Sequence, residues 1–187
     1  DIIIVSGLPR SGTSLMMQML QRGGIEIITD ELRTPDSDNP RGYLEFEAVK
    51  NIQQDASWLP TARGKAFKMI SLLLYQLPTT ERYQVLFMER DLDEVLRSQH
   101  TMLERMNRTA APHAEMRESF QIHLEHLDNW LSRRSDMTVL RIRYQNLIEQ
   151  PVQQAMRISD FLGRTLDERA MTKAVDPSLY RNRSEER

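Results

Sequence analysis

The stretch GLPRSGTS, Gly7 to Ser14, sets two glycines, three hydroxyls and one arginine directly after the apolar run IIIV at Ile2–Val5. A strand that runs through a glycine-bracketed turn into a helix start aims backbone N–H groups at an anion, and the helix dipole adds to the attraction. Gly7 and Gly12 permit close backbone approach, Ser11, Thr13 and Ser14 add donors, and Arg10 supplies the charge. A nucleoside-triphosphate loop, G-x-x-x-x-G-K-[ST], needs a lysine for the β- and γ-phosphates and a metal held by Ser/Thr and a second-strand Asp. Here Thr13 stands in the lysine's place. The strand-like VLFMERD reaches Asp91 only after Glu89 and Arg90, and an arginine there would repel Mg²⁺. The stretch therefore reads as a loop for a phosphate-like group held without a metal. It is not the G-x-S-x-G elbow of hydrolases either, because Pro9 replaces the first glycine.

LPRSGTS resembles the 5′-phosphosulfate loop of sulfotransferases that use 3′-phosphoadenosine 5′-phosphosulfate (PAPS), P-[KR]-[SA]-G-T-[ST]. A second motif of that family is an arginine at a strand end followed eight residues later by a helical serine, matched by Arg90 and Ser98 in ERDLDEVLRS. RYQNLIEQPVQQAMRISDFLG is similar to a late strand–helix segment of the same family, so the likeness spans about residues 2–163. It implies a P-loop-like fold, PAPS as co-substrate, PAP as product and no metal. By the same resemblance Arg10, Ser11, Gly12, Thr13 and Ser14 hold the 5′-phosphosulfate, Arg10 counting among the catalytic residues as well, while Arg90 and Ser98 hold the 3′-phosphate.

Cytosolic members carry K-T-H on one strand; this chain reads KMI, so Lys68 matches as the catalytic cation but Ile70 replaces the histidine. The chain is closer to bacterial and carbohydrate-type members, whose base is a glutamate following the first loop–helix–strand unit. Glu45 in NPRGYLEFE is the expected base, with Glu31 and Glu47 as alternatives. A carboxylate does this work when it reaches the acceptor's proton. Other clusters carry less chemistry. His123 and His126 lie three apart beside Glu125 but lack a third ligand for a metal, and the methionines of MMQML suit core packing. Tyr180–Arg183 is a candidate cover for the nucleotide, without the cytosolic R-K-G-x-x-G form.

These side chains need a scaffold. IIIV, IEII (Ile25–Ile28), KAFKMI (Lys65–Ile70), YQVLFMER (Tyr83–Arg90) and MTVLRIRY read as strands. Helices are expected from Arg10 to the Gly23–Gly24 stop, from GYLEFEAVKNIQ, over Asp91–Met106 with Asp91 as cap, over Glu115–Arg134, and over Val152–Leu162 closed by Gly163. Strands alternating with helices give an α/β, three-layer sandwich with a mainly parallel sheet, whose ligands sit beyond the strands' carboxyl ends. That edge would gather the loop after Val5, Lys68–Ser71 and Glu89–Arg90.

The 187 residues suffice for one sizeable core, and no repeat or linker divides them, so 1–187 reads as a single domain. A formal charge of −2 excludes a generally basic nucleic-acid binder and makes any anion site local. The absence of cysteine excludes disulfides and thiolate metal sites and fits a reducing, cytoplasmic setting. No run approaches the ~18 apolar residues of a membrane span. No signal peptide is visible, although the first residue, Asp1, leaves a removed leader open.

The expected reaction passes a sulfuryl group to a hydroxyl or amine of a small-molecule, glycan or peptide acceptor. The competing readings are a P-loop nucleotide or small-molecule kinase, and a PAP- or PAPS-binding protein without transferase activity. Acceptor specificity should lie in the polar loop 29–42, Ser57–Gly64 and Asn107–Ala114, none of which carries a readable code.

Overall fold

The computed structural model describes residues 1–30, 42–108, 111–176 and 178. Four parallel strands form its sheet in the order β2-β1-β3-β4: β1 Ile2–Gly7, β2 Ala66–Lys68, β3 Tyr83–Glu89 and β4 Met137–Arg143. Strand alternation sends Ile3, Val5, Leu86, Met88 and Ile142 to one face, and Ile2, Ile4, Phe67, Tyr83, Val85 and Phe87 to the other.

The first face is covered by α1 (Thr13–Arg22), α4 (Tyr144–Glu149), α5 (Pro151–Leu162) and α6 (Glu168–Thr172). Met16, Met17, Met19 and Leu20 of α1 are fully buried there. Each contributes about 1.5–3 kcal/mol of apolar burial, which seats the helix that begins at the phosphate loop. The second face is covered by Leu127 and Leu131 of α3 (His113–Leu131) and by 3₁₀ turns at Glu47–Asn51, Leu59–Ala62 and Ser71–Gln76. The helix α2 (Leu92–Arg105) follows β3, and α3 follows it.

The α/β three-layer expectation holds, with several local corrections. Ile25–Ile28 is not a strand: only Ile27 forms a single bridge, to Ala66. The strand completing the first βαβ unit is instead Ala66–Lys68, shorter than the expected Lys65–Ile70 because the chain turns into the 3₁₀ segment at Ser71. GYLEFEAVKNIQ is not a helix. It runs non-helically through Phe46, with Leu44 left-handed at φ 51°, before the short turn at Glu47. The first helix starts at Thr13 and not Arg10, whose own φ is 69°, and Tyr144 opens α4 instead of ending β4. Asp91 caps α2 as expected, and Gly163, left-handed at φ 62°, closes α5.

Candidate active site

In the order β2-β1-β3-β4 the sheet grows one way from β1 to β2 and the other way to β3, leaving a crevice beyond their carboxyl ends. The loop Gly7–Gly12 occupies that crevice. Its turn is closed by Ser11 N–H donating to Leu8 O at 3.2 Å. Gly12 is the cap residue of α1, left-handed at φ 99°, and no side chain caps the helix. The first-turn N–H groups are thus presented at the loop, where an anion would satisfy them.

Ser11 Oγ is buried with no hydrogen-bond partner among the described residues. An orphaned hydroxyl is costly unless a ligand meets it, and a phosphate oxygen is the acceptor this loop's chemistry suits. The glycines are sterically required. A Cβ on Gly7 would sit 2.6 Å from Met88 O, and one on Gly12 would sit 2.8 Å from Tyr144 Cε2 and closer still to Cδ2.

At the end of β3 the arginine and the serine meet through the loop. Arg90 NH1 donates to Arg10 O at 3.1 Å, and Arg10 Nε donates to Ser98 Oγ at 3.0 Å. Arg10, expected at the 5′ end, shapes the loop through its backbone while its side chain reaches Ser98 on α2. Ser98 Oγ accepts from Arg10 and keeps its own O–H for donation. Arg90 is further fixed by Glu94 Oε2, which accepts from its Nε at 2.9 Å, and its guanidinium lies 4.7 Å from the Tyr144 ring centre. The ion pair is nearly enclosed, 9% and 4% exposed, where screening is weak. Burial pushes the Tyr144 hydroxyl pKa up, so this ring presents a neutral hydroxyl beside the arginine.

At the end of β2, Lys68 and Glu45 come together, Nζ to Oε1 at 3.6 Å, with side chains 11% and 28% exposed. Lys68 Nζ also donates to Ser14 Oγ at 3.3 Å and to Tyr43 O, and Ser14 Oγ donates to Tyr43 O at 3.2 Å. Lys68 is therefore tied to the first turn of α1 as well as to the carboxylate. The Glu45 backbone is held by Thr29 Oγ1 and Asp30 N–H, which donate to its carbonyl at 2.9 and 3.2 Å. Glu47 turns away, its exposed carboxylate accepting from Lys50 Nζ at 2.7 Å. Glu31 and Tyr180–Arg183 lie outside the described residues.

His123 Nε2 shares a 2.9 Å hydrogen bond with Ser71 Oγ, and burial, together with nearby His126, lowers its pKa. Among the described residues no group of three or more His, Asp or Glu side chains could hold a metal ion. No helix among them is long and apolar enough to cross a membrane.

Sequence reasoning missed Glu94, Tyr144 and the Tyr43 carbonyl. Glu94 had a signal, an acid four residues after Arg90 on a helix-forming stretch.

The whole chain, residues 1–187, matches the family model described as the sulfotransferase domain. No curated protein sequence matches it. Among solved structures it is similar to the sulfotransferase domain from the curacin biosynthetic pathway, at 18% identity and TM-score 0.59, over 94% of this chain and 78% of that one. It is also similar to the mouse sulfotransferase SULT7A1 complexed with PAP, at 20% identity and TM-score 0.57, over 97% of this chain and 64% of that one. A sulfotransferase from Alicyclobacillus acidocaldarius gives 15% and 0.51, over 96% and 87%. These likenesses establish the shared fold, and the chain spans less than the full length of each neighbour.

Proposed function

The chain belongs to the sulfotransferase domain family, and on that premise we propose that it transfers a sulfuryl group from PAPS to a hydroxyl or amine of an acceptor. The observation that carries the reading is the pairing of Lys68 with Glu45 beside the phosphate loop, a cation and a carboxylate tied to Ser14.

PAPS supplies the sulfuryl group; the protein supplies position, charge and a proton acceptor. The N–H groups of Gly12, Thr13 and Ser14, with Ser11 Oγ, hold the 5′-phosphosulfate. Arg90 and Ser98, fixed by Glu94 and Arg10, hold the 3′-phosphate. Glu45 takes the proton of the attacking hydroxyl as the acceptor oxygen bonds to sulfur. The bond from sulfur to the bridging oxygen breaks, and Lys68 Nζ meets the charge that grows on PAP. Such charge stabilisation in a preorganised site is commonly the largest contribution to rate. The Lys68–Glu45 pair supports transfer over binding alone, because a nucleotide grip needs no carboxylate at that point.

Calorimetric titration with PAP, and separately with ADP plus Mg²⁺, tests the donor. PAP should bind without metal and equally well in EDTA. Arg90→Ala should weaken it about 10- to 100-fold, in keeping with the worth of a charge-assisted contact. Preference for ADP with Mg²⁺ would overturn this reading in favour of a kinase-like loop.

A further inference from the structure

Lys68 and Glu45 come from an edge strand and a non-helical segment, yet their charged groups meet. Each is the chain neighbour of an aromatic ring. Phe46 follows Glu45, Phe67 precedes Lys68, and Trp58 stands between the rings. Phe46 and Trp58 pack edge to face with centroids 5.0 Å apart at 88°, and Trp58 and Phe67 at 5.0 Å and 75°. All three rings pack into the core on the β1 Ile2/Ile4 face of the sheet. Successive side chains of extended backbone leave on opposite sides. Phe67 lies in β2 and Phe46 is itself extended at φ −130°, ψ 112°. Seating the two phenylalanines on one side therefore turns Lys68 and Glu45 towards the other, where α1 brings Ser14.

We propose that Trp58 is a positioning residue for the Lys68–Glu45 pair. It joins the two phenylalanines through a three-ring ladder and so fixes the separation of the chains that carry the cation and the base. This inference rests on the reactive-pair reading above. Trp58 comes from the turn before Leu59–Ala62 and has its Nε1 buried with no hydrogen-bond partner among the described residues, so its indole acts here through its faces and edges. Edge-to-face pairs add to ordinary burial and hold a preferred geometry, which suits them to setting a distance.

Lysine acetylation followed by mass spectrometry reads the pair without needing an acceptor. In the wild-type protein Lys68, 11% exposed and hydrogen-bonded, should label far more slowly than Lys50, 58% exposed. Trp58→Leu and Phe46→Leu should each raise the Lys68 rate about tenfold, with exposed Lys173 at the end of α6 unchanged. Trp58→Phe, which keeps a ring and drops the unpartnered donor, should stay within about twofold of wild type. Should Trp58→Leu not fold, Phe46→Leu removes the outer rung while leaving the β2 core intact. A Lys68 rate that is unchanged in Phe46→Leu, that rises only together with Lys173, or that Trp58→Phe fails to restore would overturn the proposal. Glu45→Gln keeps the two failures apart. If it leaves PAPS turnover intact, the reactive-pair reading falls while the labelling still decides what Trp58 positions.

Discussion

Gly12 and Gly24 share a left-handed backbone, φ 99° and 97°, but not their surroundings. A Cβ on Gly12 would run into the Tyr144 ring, whereas one on Gly24 would meet nothing within 4 Å. Gly24→Ala should therefore show the backbone cost alone, roughly 1–2 kcal/mol. Gly12→Ala should cost about 1–3 kcal/mol more, since the ring must move in a packed site, and it should also weaken PAP at least about tenfold. Thermal unfolding and PAP titration of the two variants make the comparison; equal losses would mean that the contact with Tyr144 does not hold the loop. The proposed site residues could be named from the sequence because charged and hydroxyl side chains in a glycine frame are few. Arg10, Lys68, Glu45 and Ser98 all fall at the proposed edge. The Tyr43 carbonyl that binds both Lys68 and Ser14 was not legible, since a backbone acceptor has no residue signature. Nor was the reach of Arg10 to Ser98, which depends on the left-handed turn at φ 69°.

One element, α2, carries both Ser98 and the Glu94 that fixes Arg90, so its first turn bears on the proposed nucleotide grip. Asp91 Oδ1 accepts from the N–H groups of Asp93 and Glu94 at 3.0 and 3.1 Å. Asp91→Ala should cost about 0.5–2 kcal/mol, while Asp91→Asn, an equally good cap, should restore most of it. Melting of the two variants checks this, and an Asn no better than Ala would show that the side-chain oxygen is not what caps the helix. Element legibility followed burial. IIIV and the VLFM of YQVLFMER are continuous apolar runs covered on both faces, and both segments became strands near their expected bounds. Ile25–Ile28 is also isoleucine-rich, though broken by Glu26, but Ala66–Lys68 takes the place beside β1 and leaves it one bridge. GYLEFEAVKNIQ has helical spacing, but its rings are claimed by Trp58 and Lys68 and its Leu44 is left-handed. Tertiary packing there overrode local pattern.

For the whole molecule, a formal charge of −2 offers no long-range attraction to a polyanionic nucleotide. On the proposed reading, affinity comes from a local set, Arg10 with the start of α1, Lys68 and Arg90, contributed by three stretches of chain. The two pairs Arg10–Ser98 and Lys68–Ser14 span 88 and 54 residues. A ligand that bridges these stretches binds only the folded chain, so its binding energy becomes folding stability. At one hundred times its Kd, PAP should stabilise the fold by about 2.7 kcal/mol. For a domain of this size that corresponds to a rise in Tm of roughly 5–11 °C. The same concentration of 5′-AMP, which lacks the 3′-phosphate, should give a much smaller shift. In Arg90→Ala the PAP shift should fall to that of 5′-AMP, because the charge that separates the two ligands is gone. Equal shifts for PAP and 5′-AMP in the wild-type protein would mean that the end of β3 does not read a 3′-phosphate. The loop after β1 would then be the whole of the anion site.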